Sequence, residues 1–429
     1  METQALNTEK NSRAMGLVKR SGAAVAFDMD KVIATIRRCA QGVLEDIDIN
    51  LLIAELQRNI FDGISAGDLE RALILASTAF IERDPAYNVL ATRIYLQRLY
   101  KEIMKVSINE QSLQELYKEK FIYNIKRGIA EGRLDERFAA FPLEQLADVL
   151  RPERDLLFRY IGIHTLYERY FLRSAGDVIE LPQAFWMRVA MGLALQEKNQ
   201  FKKTVEFYHA MSTLRYVPST PTLFHAGTKH PQLSSCYLTF VDDDLNHIFK
   251  SLQDQANLSK WSGGIGSDWT SLRAIGSRIN SIQVDSQGIV PFLKIANDVV
   301  AAISRSGSRR GAACVYLEVW HLDYEDFLDL RRNTGDERRR THDMNTASWI
   351  PDLFMKRVIN NQDWTLFSPD DVPDLHDLYG KTFEAAYCMY EDKAKQGAIK
   401  RFKTMQAAQL WRKMLGRLFE TGHPWPTFK

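Results

Sequence analysis

The 429-residue chain reads as an α/β protein in three successive blocks. Three observations predict this. Residues 18–39 place short apolar runs on either side of a Ser21-Gly22 turn and then become helical, the pattern of a β-hairpin capped by a helix. Residues 106–215 carry helical periodicity, rich in Arg and Tyr. From Cys314 onward strand-like runs (CVYLEVW, ASWI, WTLF) alternate with helical ones (YEDFLDLRR, DLFMKRVIN, HDLYGKTFEAAYCMYEDKAK). That alternation marks a parallel β/α architecture, in which ligands sit at the carboxyl ends of strands.

Residues 1–14 are polar and read as a disordered tail. Asp28 suits the N-cap of the first helix, with Val32, Ile33 and Ile36 on its apolar face. Helical patterns follow over 51–60, over 69–81 after the Asp62-Gly63 break, and over 87–103 with Leu90, Ile94 and Leu99 inward. Lys19, Arg20, Lys31 and Lys101 lie in this first block, where they suit either a bound polyphosphate or a solvated basic face. In the middle block, DLLFRYIGIHTLYERYFLR holds large side chains at helical spacing, so its aromatics read as core. His164 and His209 read as ordinary helix residues. Leu181-Pro182-Gln183 opens a further apolar helix ending near Gln196. The last helix is expected from Thr404 to near Glu420, with Gly422 ending it.

Composition narrows the function. Lys and Arg total 56 against 54 Asp and Glu, a net charge of +2, so bulk electrostatics favour neither nucleic acid nor a membrane surface. Cys39, Cys236, Cys314 and Cys388 are scattered without a C-x-x-C pair, which argues against a zinc site or a disulfide scaffold. The N-terminus lacks the apolar core of a signal peptide, and no run approaches the ~18 apolar residues of a membrane span. A cytosolic chain is expected.

Chemistry concentrates after residue 216. In YVPSTPTLFHAGTKHPQLSSCYLTF, Pro218 and Pro221 read as turns flanking Thr220. Ser235 and Cys236 then head an apolar run, Tyr237, Leu238, Phe240 and Val241, expected as a buried strand. A thiol there, beside hydroxyls, is placed to meet a ligand; a lone cysteine is otherwise commonly a buried structural residue. Asp242, Asp243 and Asp244 precede a helix with Leu245, Ile248, Phe249 and Leu252 apolar. They favour its macrodipole, and they also suit a ribose or base; three in a row are poor metal geometry. Two segments, SGGIGS at 262–267 and SRSGSRRGAA at 304–313, read as glycine-rich loops that expose amide and guanidinium donors to anions. Neither has Walker or Rossmann spacing, yet the two together with the carboxylates and the thiol favour nucleotide binding.

These residues resemble a known family. VPSTPTLFHAGT, QLSSCYL, SGGIGSDWTSLRAIGS, SRSGSRRGAA, RRRTHDMNTASWIPDLFMKRV and WTLFSPDDVPDLHDLYG, in that order, are similar to the large, catalytic subunit of ribonucleotide reductase. VKRSG, FDMDK, FDGIS and RDPAYNVLATRIYLQRLYKE resemble that family's ATP-cone. The resemblance implies a cone at 15–105, a helical domain at 106–215 and the first half of a ten-stranded α/β barrel at 216–429. It implies reduction of ribonucleoside diphosphates by radical and dithiol chemistry, with a di-metal radical partner in preference to adenosylcobalamin.

By motif, the resemblance makes Cys236 one of two cysteines that supply reducing electrons and end as a disulfide, its thiol also protonating the departing 2′-hydroxyl. Thr220 and Ser235 would contact substrate. Asp243, Asp244, Leu245, Arg273, Arg278 and Arg310 fall at the site where a deoxynucleoside triphosphate, carried with Mg2+, selects the base reduced. Lys19, Arg20, Val25, Phe27, Lys31 and Lys101 fall where the cone takes ATP or dATP. Asn280 stands where some relatives have a second phosphate-binding Arg, and Ala66 and Glu70 replace polar or histidine residues of the cone, which leaves dATP inhibition less secure than ATP binding.

The family's Asn-x-Cys-x-Glu segment, with its radical cysteine, would lie just beyond GHPWPTFK, so the expectation is a half-enzyme. Its partners would be a C-terminal half of the large subunit, a radical-generating small subunit that supplies the radical cofactor, thioredoxin or glutaredoxin, and further copies of itself. The alternative is a non-catalytic nucleotide-sensing fragment that regulates another reductase.

Overall fold

A computed structural model describes residues 15–105, 113–261, 263–279, 281–303 and 312–429. The chain divides into two compact units, residues 1–233 and 234–429.

The first unit opens with β1 (Gly16–Val18) and β2 (Ala24–Ala26), an antiparallel hairpin whose Gly22 takes a φ of 85° that a side chain would resist. Asp28 caps α1 (Met29–Cys39) by accepting from the amides of Asp30 and Lys31, and Val32 and Ile36 are buried beneath it. After α2 (Ile49–Gln57), β3 (Ile64–Ser65) joins β1 in parallel, giving the order β2-β1-β3. Helices α3 (Ala66–Thr78) and α4 (Pro85–Met104) follow, with Leu90, Ile94 and Leu99 buried as their spacing requires.

Next come α5 (Leu113–Ala130), α6 (Leu143–Val149) and α7 (Tyr160–Arg169). The expected continuous helix over 155–173 is broken: residues 152–157 make a tight 3-10 turn, and Arg159 is extended at φ −106°, ψ 160°. The break puts Asp155 in the core, where it accepts the Tyr100 and Tyr117 hydroxyls at 2.6 Å and the Gln183 amide at 2.7 Å. Burial lifts its carboxyl to about 6 against the pull of those three donors. A short hairpin, β4 (Arg173–Ser174) and β5 (Asp177–Val178), leads to α8 (Pro182–Ala194), α9 (Gln200–Ser212) and α10 (Thr220–His225).

Helix α8 is buried along most of its length. Its Arg188, with no exposed side-chain surface, pairs with Glu180 at 2.6 Å and donates to the carbonyl of Ala226 at 2.7 Å. The chain just after α10 crosses α8 at Gly192, where a Cβ would lie 2.2 Å from the Gly227 nitrogen. Arg188 and Gly192 therefore fix where α10, and with it Thr220, sits.

The second unit begins with β6 (Cys236–Phe240), α11 (Leu245–Lys260) and β7 (Gly264–Asp268), then the short pair β8 (Arg278–Ile279) and β9 (Val284–Asp285) and α12 (Val290–Ile303). It continues through β10 (Ala312–Glu318), α13 (Tyr324–Leu328), β11 (Asn345–Ile350), α14 (Asp352–Ile359), β12 (Asp363–Phe367) and α15 (Gly380–Lys395). It closes with β13 (Phe402–Gln406), α16 (Ala407–Thr421) and β14 (Trp425–Phe428). Five strands form one sheet in the order β14-β11-β10-β7-β6, every neighbouring pair parallel, as the β/α alternation requires.

Several sequence expectations change here. SGGIGS is not a loop, because Gly264–Asp268 is the strand between β6 and β10. Its glycines leave room across the sheet: a Cβ on Gly266 would meet the Leu238 side chain at 2.9 Å. The run after Cys236 is a strand but not a buried one, since β6 is a sheet edge with Leu238 87% and Phe240 60% exposed. WTLF leaves the parallel sheet to pair antiparallel with β13. Thr404 consequently lies inside β13 rather than capping α16, which starts at Ala407 and ends on Gly422 at φ 73°. Pro221 sits in the first turn of α10, where its missing N–H costs nothing, rather than in a free turn.

The carboxyl ends of the strands are joined by a buried charge cluster. His376 reaches Asp268 at the end of β7 and Glu318 at the end of β10, each at 2.6 Å. Lys429, just past β14, pairs with the same Glu318 at 2.7 Å and lies 5.4 Å from the centre of the Trp349 ring. Burial opposes the charged imidazolium, yet the two carboxylates outweigh it and raise His376 to about 9. Its folded-state value exceeds the unfolded one, so its contribution is present below about pH 6.5 and fades as pH passes about 9, worth about 3 kcal/mol in all. Chemical denaturation is expected to show that loss between these pH values, and His376→Gln to flatten it. Gly192→Ala is expected to cost about 3 kcal/mol through the backbone clash with Gly227, read as a lower denaturation midpoint at unchanged slope.

Candidate active site

Cys236 is the first residue of an edge strand, and its side chain is exposed. Strand alternation places Cys236, Leu238 and Phe240 on one face, in register with Gly264, Gly266 and Asp268 of β7 and with Ala312, Cys314 and Tyr316 of β10. Beside the thiol, the Ser235 hydroxyl lies 3.5 Å from its sulfur, and the Ser235 carbonyl accepts from the Gly264 amide at 2.9 Å. A Cβ on Gly264 would approach that sulfur to 3.2 Å, so the glycine leaves space around it. Burial instead pushes the Cys314 thiol up to about 11, which leaves it protonated and a poor nucleophile. Cys236 is thus the accessible thiol on this face.

Thr220 belongs to the first unit and is the opening residue of α10. Its hydroxyl lies 3.1 Å from the Tyr170 hydroxyl, and the Tyr170 ring packs on Phe224 with centroids 4.5 Å apart. Tyr170 is a neighbour that the sequence did not single out.

The second unit brings three of the expected effector residues together. Asp243 pairs with Arg273 at 2.6 Å, and Arg273 also donates to the carbonyl of Arg278 at 3.0 Å. Burial raises the Asp243 carboxyl, partly offset by Arg273. Arg278 turns to Asp285 at 3.2 Å across the β8–β9 pair. Asp244 caps α11 by accepting from the His247 amide at 2.9 Å. Leu245 is exposed at the head of the helix. Arg310 and Asn280, and with Arg310 most of the second glycine-rich segment, lie outside the described residues.

In the first unit, a cleft of about 550 Å³ is lined by Arg20, Arg71, Arg98, Lys101 and Lys105, with Glu102. Arg20 and Lys101 were expected; Arg71, Arg98 and Lys105 were not, because their clustering depends on how α3 packs on α4. Of the other expected residues, Lys31 pairs with Asp28 at 3.2 Å, Lys19 is exposed beside the hairpin turn, Val25 lies in β2, and Phe27 packs on the core. Five cations at one cleft suit a polyanion. Among the described residues, no group of three or more His, Cys, Asp or Glu has the arrangement of a metal site, and no helix is long and apolar enough to cross a membrane.

Comparison with known proteins agrees with this layout. Residues 234–429 match the ribonucleotide reductase barrel domain, and residues 156–231 match the ribonucleotide reductase all-alpha domain. The chain is 47% identical to the ribonucleoside-diphosphate reductase subunit alpha of Chlamydia muridarum, over 100% of this chain and 41% of that protein. It is 40% identical to the subunit alpha of Helicobacter pylori strain J99, over 96% of this chain and 51% of that protein. It is 36% identical to the large subunit of Arabidopsis thaliana, over 97% of this chain and 50% of that protein. The chain therefore spans about half the length, or less, of these curated relatives. It belongs to the ribonucleotide reductase large-subunit family, with residues 156–231 similar to the all-alpha domain and residues 234–429 to the barrel domain.

Proposed function

We propose that this chain is the N-terminal part of a ribonucleotide reductase large subunit, which reduces ribonucleoside diphosphates to deoxyribonucleotides. One observation carries the reading: an accessible thiol, Cys236, heads a parallel strand on the open face of the barrel-domain sheet. Loss of the 2′-hydroxyl as water needs a proton donor on that face of the ribose, and a thiol supplies both a proton and an electron. Cys236 and a second thiol together give two protons and two electrons and end as a disulfide, while the substrate loses one water. Ser235 and Thr220 bind and orient the sugar. The radical cofactor resides on a small partner subunit and supplies the oxidising equivalent that starts the reaction.

The remaining assignments follow the same reading. Residues 15–105 form an ATP-cone, with Lys19, Arg20, Val25, Phe27, Lys31 and Lys101 at the ATP or dATP site. Residues 106–233 form the helical domain, and residues 234–429 the first half of the barrel. Asp243, Asp244, Leu245, Arg273, Arg278 and Arg310 hold a deoxynucleoside triphosphate with its Mg2+, and the Asp243–Arg273 pair already presents a guanidinium there. Strands β6 and β14 leave two edges of the sheet unpaired, and the exposed Leu238 and Phe240 are an association hazard until covered. The C-terminal half of the large subunit is the natural cover. Thioredoxin or glutaredoxin would then reduce the disulfide, and further copies of the large subunit complete the assembly.

The test is reconstitution with the C-terminal half and the radical-generating subunit. Cys236→Ser is expected to abolish deoxynucleotide formation while nucleotide binding stays within about twofold of the parent chain. Full activity of the Cys236→Ser assembly would refute the assignment.

A further inference from the structure

The cation cleft of the first unit contains its own anion. Glu70, on α3, places one carboxylate oxygen 2.6 Å from the Arg20 guanidinium and the other 2.8 Å from the Lys101 ammonium. Arg20 and Lys101 come from elements far apart in sequence, the hairpin turn and α4, and no other acid pairs with either of them among the described ion pairs. The other lining cations are engaged differently: Arg71 pairs with Asp68 on its own helix, and Arg98 stands 3.9 Å from Glu102. A carboxylate and a phosphate present the same fork of oxygens to a guanidinium, so Glu70 fills the donors a terminal phosphate would use.

We propose that Glu70 is an internal counter-anion that competes with a polyphosphate for Arg20 and Lys101 and so sets the concentration at which the cone fills. This rests on the cone reading above and deepens it. The two ion pairs are partly exposed, with side-chain exposures of 42% for Arg20, 40% for Lys101 and 20% for Glu70, so each is individually weak and yields to a multivalent anion. Once displaced, the carboxylate remains on α3 beside the cleft, and its charge still opposes the incoming phosphates. Affinity is thereby held below what five cations would otherwise give.

Calorimetric titration of the whole chain, with Mg·ATP and separately with inorganic tripolyphosphate, tests this. Glu70→Gln keeps the size and an acceptor oxygen but removes the charge, and is expected to bind both probes several-fold to about tenfold more tightly, with the gain shrinking at high salt. Binding by the parent chain with no gain, or a loss, in the variant overturns the counter-anion role while leaving the cone reading intact; a loss would make Glu70 an organiser of the site. A gain for tripolyphosphate alone would mark an inorganic-anion site and overturn the nucleotide assignment. Failure of both proteins to bind either probe removes the cone reading together with the role of Glu70.

Discussion

Parallel pairing of an edge strand against a glycine-bearing strand is the constraint on which this architecture turns. Cys236 lies opposite Gly264 and Leu238 opposite Gly266, so β7 carries no side chain where the β6 side chains lean across the sheet. Side chains at these positions would crowd the thiol and the leucine beside it. With glycines there, the sulfur stays at the rim, accessible and flanked by the Ser235 hydroxyl. The opposite faces of the same strands turn Ile265, Ala313, Val315 and Leu317 into the core beneath the helices. One face is thus packed and the other kept open.

Elsewhere, three buried polar clusters hold elements in register. Asp155 gathers donors from α4, α5 and α8, and Arg188 ties Glu180, just before α8, to the Ala226 carbonyl, just after α10. The His376 cluster does the same for the carboxyl ends of β7 and β10 and the end of the chain past β14. The Arg188 and His376 clusters pair opposite charges, and Asp155 is met by three neutral donors. The cation cleft of the first unit follows a different rule: its cations are partly solvated and in excess, and a single carboxylate spans two of them.

Local signals in the sequence were reliable where one residue decides the outcome. Asp28 caps its helix, Gly22 turns its hairpin and Gly422 ends α16, because each needs only its own side chain or its lack of one. Readings failed where the deciding partner is distant. Gly264 and Gly266 looked like a loop because nothing local reveals that β6 and β10 will flank them. Leu238 and Phe240 looked buried because hydrophobicity does not distinguish a central strand from an edge. Thr404 joins a strand instead of opening the last helix because its β12 partner, Thr365, lies about 40 residues earlier, beyond any local pattern. Cys236, Ser235, Asp243 and Arg273 were singled out through family motifs, and Glu70 as a departure from one, whereas Tyr170, Arg71 and Arg98 emerge only from helix packing.

The central claim is that the sulfur at the head of β6 is consumed as reductant during turnover. The most direct measurement is peptide mapping by mass spectrometry after one round of reaction by the reconstituted enzyme, without external reductant. The account predicts Cys236 in a disulfide in proportion to the deoxynucleotide formed, with Cys314 still a free thiol. Product formation that leaves Cys236 reduced would contradict it.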